Sequence, residues 1–358
     1  MQRRTTISNP WTITREHGPA IAVLVAATLC LTLFLREHPL RETAGDESAY
    51  FRLAVTTSSH DPSLPAFLPG NMPLYWWPPL TFAVYGMMAT PGDLDPTAPQ
   101  LPHDRFGSER PTPASFVHRI SVLQAAGMLG SGFLIYVIAL QLGLSPPAAT
   151  LALAATVLNP RLVFYVQALW PEWLHAIVFL AATALLVRFT RTGGLIPLAL
   201  ASGLLGIAAL IKGIAPAFLI LLIPGLLWMH RGNSRSRLLA VATAAVIPFA
   251  LVTGPQSIRN HQEYGVFVLS TNTWINIEAG LLPPAAVSSG DDESVFDLYR
   301  ESAPDPVTRE RLSRTRVIDH LARTSPFDIL EKIARNYYFS VRHSFFRGGV
   351  HTGRWENV

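Results

Sequence analysis

Long apolar runs with almost no charge constrain this chain more than any other feature. Pro19–Leu35 contains no charged residue, and it is just long enough to cross a ~30 Å hydrocarbon layer. Further runs follow at Ser115–Leu142, Ala148–Val166, Trp173–Val187, Leu195–Met229 and Leu238–Gly254. Leu195–Met229 would make a helix of about 52 Å, too long for one crossing. Lys212-Gly213 divides it into two passes with Lys212 at the tip, so the runs imply an all-α polytopic membrane protein of about seven transmembrane helices. A composition of 49% hydrophobic and 15% charged residues agrees, because soluble domains carry more charge. With 28 basic and 24 acidic residues, a nucleic-acid partner has little support. The single Cys30 excludes an intrachain disulfide and a thiolate metal site. Ala27-Thr28-Leu29 before it fits neither a cleavage site nor a lipoprotein site, so Pro19–Leu35 reads as an uncleaved span.

Orientation follows from the basic residues. Arg3, Arg4 and Arg15 place the N-terminal arm, residues 1–18, in the cytoplasm. The apolar stretch Leu74–Ala89 is short and broken by Pro78-Pro79. If it spanned, Arg188, Arg191, Arg231, Arg235 and Arg237 would all face outward, against the positive-inside bias. It is therefore expected to be re-entrant or interfacial. Residues 19–255 form the membrane domain, with a first outer loop at 36–114, and 256–358 form an extramembrane segment without an apolar run long enough to span. No repeat and no low-complexity tract is visible.

This topology gathers Asp46, Glu47, Glu172, Lys212 and Arg259 at the outer membrane surface, from separate loops. Adjacent carboxylates at a bilayer boundary are costly unless used. From Asp46 onward Tyr50, Leu53 and Thr57 recur at helical spacing, which predicts a short amphipathic helix in the interface. Carboxylates beside a lysine and an arginine suit transfer from a lipid-linked phosphate donor: the cations bind phosphate and a carboxylate takes the acceptor's proton. Asp46 is the candidate base; Glu47 either joins it, holds the loop or orients the acceptor. Each residue has a plainer reading. Asp46-Glu47 suits an acidic first helical turn, Glu172 follows Pro171 as a first-turn residue does, Arg259 suits a helix end and Lys212 can snorkel. Trp76 and Trp77 are interface anchors before they are substrate platforms. His118 and His175 lack the spacing of metal ligands. Asp291-Asp292-Glu293 is an ordinary solvated loop, although such oxygens also suit a divalent cation, Mg or Mn. No phosphate-cradling glycine loop occurs.

The arrangement resembles the C-type (GT-C) glycosyltransferases that use polyprenyl-phosphate sugars, in the branch with protein O-mannosyltransferases and lipid A aminoarabinose transferases. The resemblance covers roughly residues 19 to 280 and rests on motif order relative to the spans. The motifs are Asp46-Glu47-x-x-Tyr50, Pro78-Pro79-Leu80, Arg119, Asn159-Pro160, Pro171-Glu172, Gly203-x-x-Gly206 with Ile211-Lys212-Gly213, and Gly254-Pro255-x-x-Ile258-Arg259-Asn260 with Tyr264-Gly265. It implies inverting transfer of one sugar from a polyprenyl phosphate to a lipid, polysaccharide or protein acceptor outside the inner or plasma membrane. It also implies that Asp46 and Glu172 are acidic site residues, that Lys212, Arg259 and Asn260 lie on the donor side, and that Tyr50, Trp77 and Pro78 contact acceptor or lipid. Two departures stand out. Trp77 occupies the place where some relatives carry Lys or His, so phosphate contact falls to Lys212, Arg259 or another basic group. Relatives also continue into further spans, so a compact member, a truncated one or a partner-dependent subunit is compatible. The competing class is a lipid-linked-sugar flippase or transporter; mid-bilayer charges and repeated halves would mark it, and neither is seen.

Overall fold

Backbone amides that cannot reach water must bond within their own segment, and the apolar runs accordingly fold as helices. The computed structural model describes residues 10–37, 40, 47–58, 78–94, 100–101, 112–213, 215–270, 274, 277–278, 281 and 306–335. The chain divides into two compact units, one of Met1–Asn71 with Pro79–Pro255, the other of Met72–Pro78 with Gln256–Val358.

Among the described residues, four helices are long and apolar enough to cross a membrane: α1 (Pro10–Glu37), α4 (Ala114–Gln141), α7 (Glu172–Thr192) and α10 (Arg235–Tyr264). Along α1 the small Ala20 and Ala27 are buried with Leu31 in a core that also holds Met128 of α4 and Leu153 and Val157, whereas Ile21, Val25, Leu29 and Leu33 are each more than half exposed. Small residues inward and large apolar ones outward is the pattern expected where the surrounding solvent is lipid. These helices make the chain consistent with an integral membrane protein.

The run Ala148–Val166, expected as one span, is broken. It forms α5 (Pro146–Val157) and α6 (Pro160–Phe164) with a 3-10 turn at Tyr165–Gln167, bent by 46°. Pro160 lacks the amide hydrogen the ladder needs and disfavours helix at the residue before it. Asn159 then restarts the helix as its N-cap, its side-chain oxygen accepting from the Arg161 amide at 3.0 Å. Counted as one broken span, the pair makes a fifth. On either side of Lys212-Gly213 lie α8 (Leu195–Ile211) and α9 (Ala215–Met229), of 17 and 15 residues. At about 26 and 22 Å they are shorter than a ~30 Å hydrocarbon layer.

The seventh expected span ends at Gly254 by composition, but α10 continues through Pro255 to Tyr264. Its interior Pro248 is accommodated by α8. Ser202 Oγ donates to the Ala245 carbonyl at 2.5 Å and accepts from the Phe249 amide at 3.1 Å. The hydroxyl thus stands inside the helical ladder beside the proline, the way a neighbouring helix repairs a broken span. One turn along, a Cβ on Gly206 would lie 2.9 Å from Val252 Cβ and 3.2 Å from the Phe249 carbonyl. At Gly203 it would meet only Pro248 Cβ, at 3.9 Å. Gly206→Leu is therefore expected to cost about 1–3 kcal/mol or more through overpacking. Gly203→Ala is expected to be neutral or to gain about 0.4–1 kcal/mol. Thermal unfolding of the two purified variants in one detergent checks both.

Two short helices fold into the same unit. In α2 (Glu47–Ser58) Tyr50, Phe51, Leu53 and Ala54 are all buried. These side chains of the helix therefore pack against the protein. Tyr50 meets Phe82 at a ring distance of 5.4 Å and Phe51 meets Phe116 at 4.9 Å. The described part of Leu74–Ala89 is α3 (Leu80–Met88), nine residues and so about 14 Å, far short of a crossing.

The stretch after α3, which reads as a loop insert, is tied down. A 3-10 turn at Pro91–Leu94 is followed by β1 (Gln100–Leu101), antiparallel to β2 (Thr112–Pro113). The buried Asp93 carboxylate accepts from the Thr90 amide at 2.7 Å, Thr90 Oγ1 at 3.0 Å and Ser115 Oγ at 2.8 Å, and it pairs with the Arg119 guanidinium. Arg119 Nε also donates to the Met88 carbonyl at 2.7 Å. Burial pushes the Asp93 carboxyl up, but the bonds from Arg119, Thr90 and Ser115 outweigh it and hold it below its usual value.

In the second unit, Trp274 donates its amide to Glu310 on α11 (Pro306–Arg323) at 3.1 Å, and Arg316 pairs with Glu278 at 3.5 Å. Lys332, on a further helix α12 at 326–335, donates to the Leu281 carbonyl.

Candidate functional site

The site is built on the turn between the bent third helix pair and α7. Pro171 opens α7 and Glu172 is its first residue, a favourable place for an acid beside unpaired amides. Lys212 follows the end of α8 in extended backbone (φ −145°, ψ 123°). The two helices pack side by side, and Lys212 Nζ meets Glu172 Oε1 at 2.8 Å. Both side chains are well exposed, at 45% and 39%, so the pair contributes about 1 kcal/mol or less to stability. Among the described residues Glu172 Oε2 is buried without a partner, so half of the carboxylate's accepting capacity is unused.

Behind this pair lies a buried polar layer. Glu47, first residue of α2, is 1% exposed and its Oε1 accepts from the Leu169 amide at 2.6 Å. Gln124, three turns into α4, is equally buried. The two hydrogens of its Nε2 are shared among Tyr85 Oη at 3.0 Å, the Ala168 carbonyl at 3.3 Å and the Trp170 carbonyl. Burial first, then the fields of Tyr50, Glu172 and Glu47, push the Tyr85 phenol well above its usual value. Thr81 on α3 donates to the Ile211 carbonyl at 3.0 Å, which fixes α3 beside the residue that precedes Lys212.

Glu47, Tyr50, Glu172 and Lys212, singled out by sequence, thus come together in one unit around Tyr85 and Gln124, which were not. Gln124 had a readable signal, an amide side chain inside an apolar run. Tyr85 had none, since a tyrosine in a short apolar stretch is ordinary. Asp46 and Trp77 lie outside the described residues, as do Asp291–Glu293. Pro78 is buried. Arg259 and Asn260 belong to the second unit. Asn260 is occupied locally: its Nδ2 donates to the Val268 carbonyl at 2.7 Å and the Leu269 carbonyl at 3.3 Å, and its Oδ1 accepts from Gln256 at 3.1 Å. That secures the chain as it leaves α10. Among the described residues no group of three or more His, Cys, Asp or Glu side chains could hold a metal ion.

No protein-family model matches the chain, and no curated protein and no solved structure matches it.

Proposed function

We propose that this chain is a membrane glycosyltransferase that moves one sugar, with inversion, from a polyprenyl-phosphate donor to a lipid, polysaccharide or protein acceptor on the outer membrane face. The observation that carries the reading is the Lys212–Glu172 pair at 2.8 Å, half-exposed, beside the buried Glu47 turn. It offers an accessible ammonium for phosphate next to carboxylates at one end of a helical bundle. In this reading all seven expected spans cross an inner or plasma membrane, with α5–α6 as one broken span and the N-terminus cytoplasmic. Arg237 donating to the Gly193 carbonyl supports it, since that contact joins two of the basic connections.

The reaction is a displacement at the anomeric carbon. The acceptor oxygen forms the new glycosidic bond as the bond from that carbon to phosphate oxygen breaks. The polyprenyl phosphate leaves with the electron pair, and the acceptor's proton passes to a carboxylate. Asp46 is the proposed base. Lys212 binds the phosphate and stabilises its growing charge. Glu172 orients Lys212, while Tyr50 contacts the acceptor or the lipid chain. The divalent-cation reading of Asp291–Glu293 enters no step.

Transfer from polyprenyl-phosphate mannose, glucose and arabinose by protein in lipid nanodiscs, wild type against Asp46→Asn, tests the proposal. Asp46→Asn is expected to lose about 10²–10⁴-fold in turnover, the usual worth of a general base, while still binding donor. Donor binding without turnover in wild type would favour the flippase reading. No binding by any donor would sink the lipid-phosphate reading.

A further inference from the structure

Two buried polar side chains of the site each place hydrogen bonds on one short piece of backbone. Glu47 reaches it from α2 and takes the Leu169 amide at 2.6 Å. Gln124 reaches it from α4 and donates to the Ala168 carbonyl at 3.3 Å and to the Trp170 carbonyl. Tyr85, fully buried, accepts from the same amide group at 3.0 Å and so fixes its orientation. Three consecutive residues, 168 to 170, are therefore held by side chains distant in sequence. The turn they form has little regular structure to hold it, since the 3-10 helix ends at Gln167 and α7 begins at Glu172. Buried backbone groups there must find side-chain partners.

What the turn carries gives the clamp its purpose. Two residues beyond Trp170 stands Glu172, whose Oε1 holds Lys212. That ion pair is half-exposed and cannot position itself strongly. The direction of Glu172, and through it of the Lys212 ammonium, depends on where the preceding turn sits.

We infer that Glu47 and Gln124 are positioning residues: they clamp the Ala168–Trp170 turn that presents Glu172 to Lys212, and Glu47 takes no part in proton transfer. This deepens the glycosyltransferase reading and rests on it for its catalytic consequence, though not for the clamp itself. A glutamine at position 47 keeps an oxygen that can accept from the Leu169 amide and loses only the charge; alanine loses both.

The experiment uses full-length protein in nanodiscs with two readouts. Hydrogen exchange is followed at the Leu169 amide, and transfer is assayed with polyprenyl-phosphate mannose, glucose and arabinose. Glu47→Ala is expected to speed Leu169 exchange roughly 10–100-fold by removing a buried bond, and to lower transfer by about 10²-fold through misplacement. Glu47→Gln is expected to recover most of both. Gln124→Leu is expected to loosen the same segment, which separates a clamp from an effect of the Glu47 charge. Unchanged exchange in Glu47→Ala would overturn the inference. So would Glu47→Gln that stays protected at Leu169 yet transfers as poorly as Glu47→Ala, since the carboxylate itself would then be reacting. A wild type that transfers from no donor would overturn the glycosyltransferase reading alone, and the exchange data would still decide the clamp.

Discussion

Arg119→Leu is expected to destabilise the protein by about 3–5 kcal/mol, the usual cost of leaving a buried charge without its partner. Asp93 is completely enclosed at its side chain, and its ionic partner among the described residues is Arg119. Thr90 and Ser115 would remain, but three neutral bonds do not replace a guanidinium. The substitution also removes the donor to the Met88 carbonyl, which ends α3. The sign of the pH dependence separates this account from simple loss of packing. In wild type Asp93 is held below its usual value, so its contribution is fully present above the unfolded carboxyl value, about 4. It is lost as pH falls through the lower folded value. In Arg119→Leu the main lowering cause is gone and burial, which raises the carboxyl, dominates. The variant's deficit should then be greatest at neutral pH and shrink as the medium is acidified and Asp93 takes up a proton. Denaturant unfolding in detergent at pH 7 and pH 5 reads this directly. A deficit independent of pH would mean that Arg119 acts only through packing.

What could be read in the sequence was decided by distance along the chain. The helices follow from apolar runs because lipid leaves a backbone no other choice, and Lys212-Gly213 divides α8 from α9 because a charge and a glycine interrupt one such run. Glu172 and Lys212 were legible as candidates because each is a lone charge at the end of an apolar segment, and the structure joins them. The bend at Asn159-Pro160 was legible in principle, since proline there disrupts the helix whatever the surroundings. Asp93 was not. In a stretch of Pro, Gly, Asp and Thr it looks like any solvated turn residue, and only its meeting with Arg119, 26 positions later, makes it a buried anchor. Ser202 was hidden for a related reason: a serine in an apolar helix looks ordinary until a proline on another helix needs its hydroxyl. Gln124 and Glu47 share that dependence, because the peptide groups they serve lie 44 and 122 residues away.

Under the proposed glycosyltransferase function, Lys212→Met is expected to lower sugar transfer by about 10²–10³-fold, the range found when one group that stabilises developing charge is removed. The loss should come with little change in thermal stability. The magnitudes decide this. The Lys212–Glu172 pair is half-exposed, so breaking it forfeits about 1 kcal/mol or less, whereas an ammonium facing a departing phosphate would meet charge that develops only during transfer. A weak ground-state pair also suits phosphate capture. Opening it to admit the donor is cheap, and Glu172 holds the ammonium in place until then. Lys212→Arg keeps the charge but changes a compact head for a planar one and should recover part of the activity. The exchange of the two residues, Glu172→Lys with Lys212→Glu, is the sharper comparison. It keeps an ion pair between the same two positions, so a merely structural pair would survive it with transfer intact. A phosphate-binding lysine would not, because the ammonium would then start from α7 and an acid would stand at the tip between α8 and α9. Measured as transfer from polyprenyl-phosphate sugars alongside thermal unfolding, loss of transfer at unchanged stability in both Lys212→Met and the exchanged pair is the expected result. Recovery of transfer in the exchanged pair would reduce Lys212–Glu172 to a structural contact and move phosphate binding to another cation.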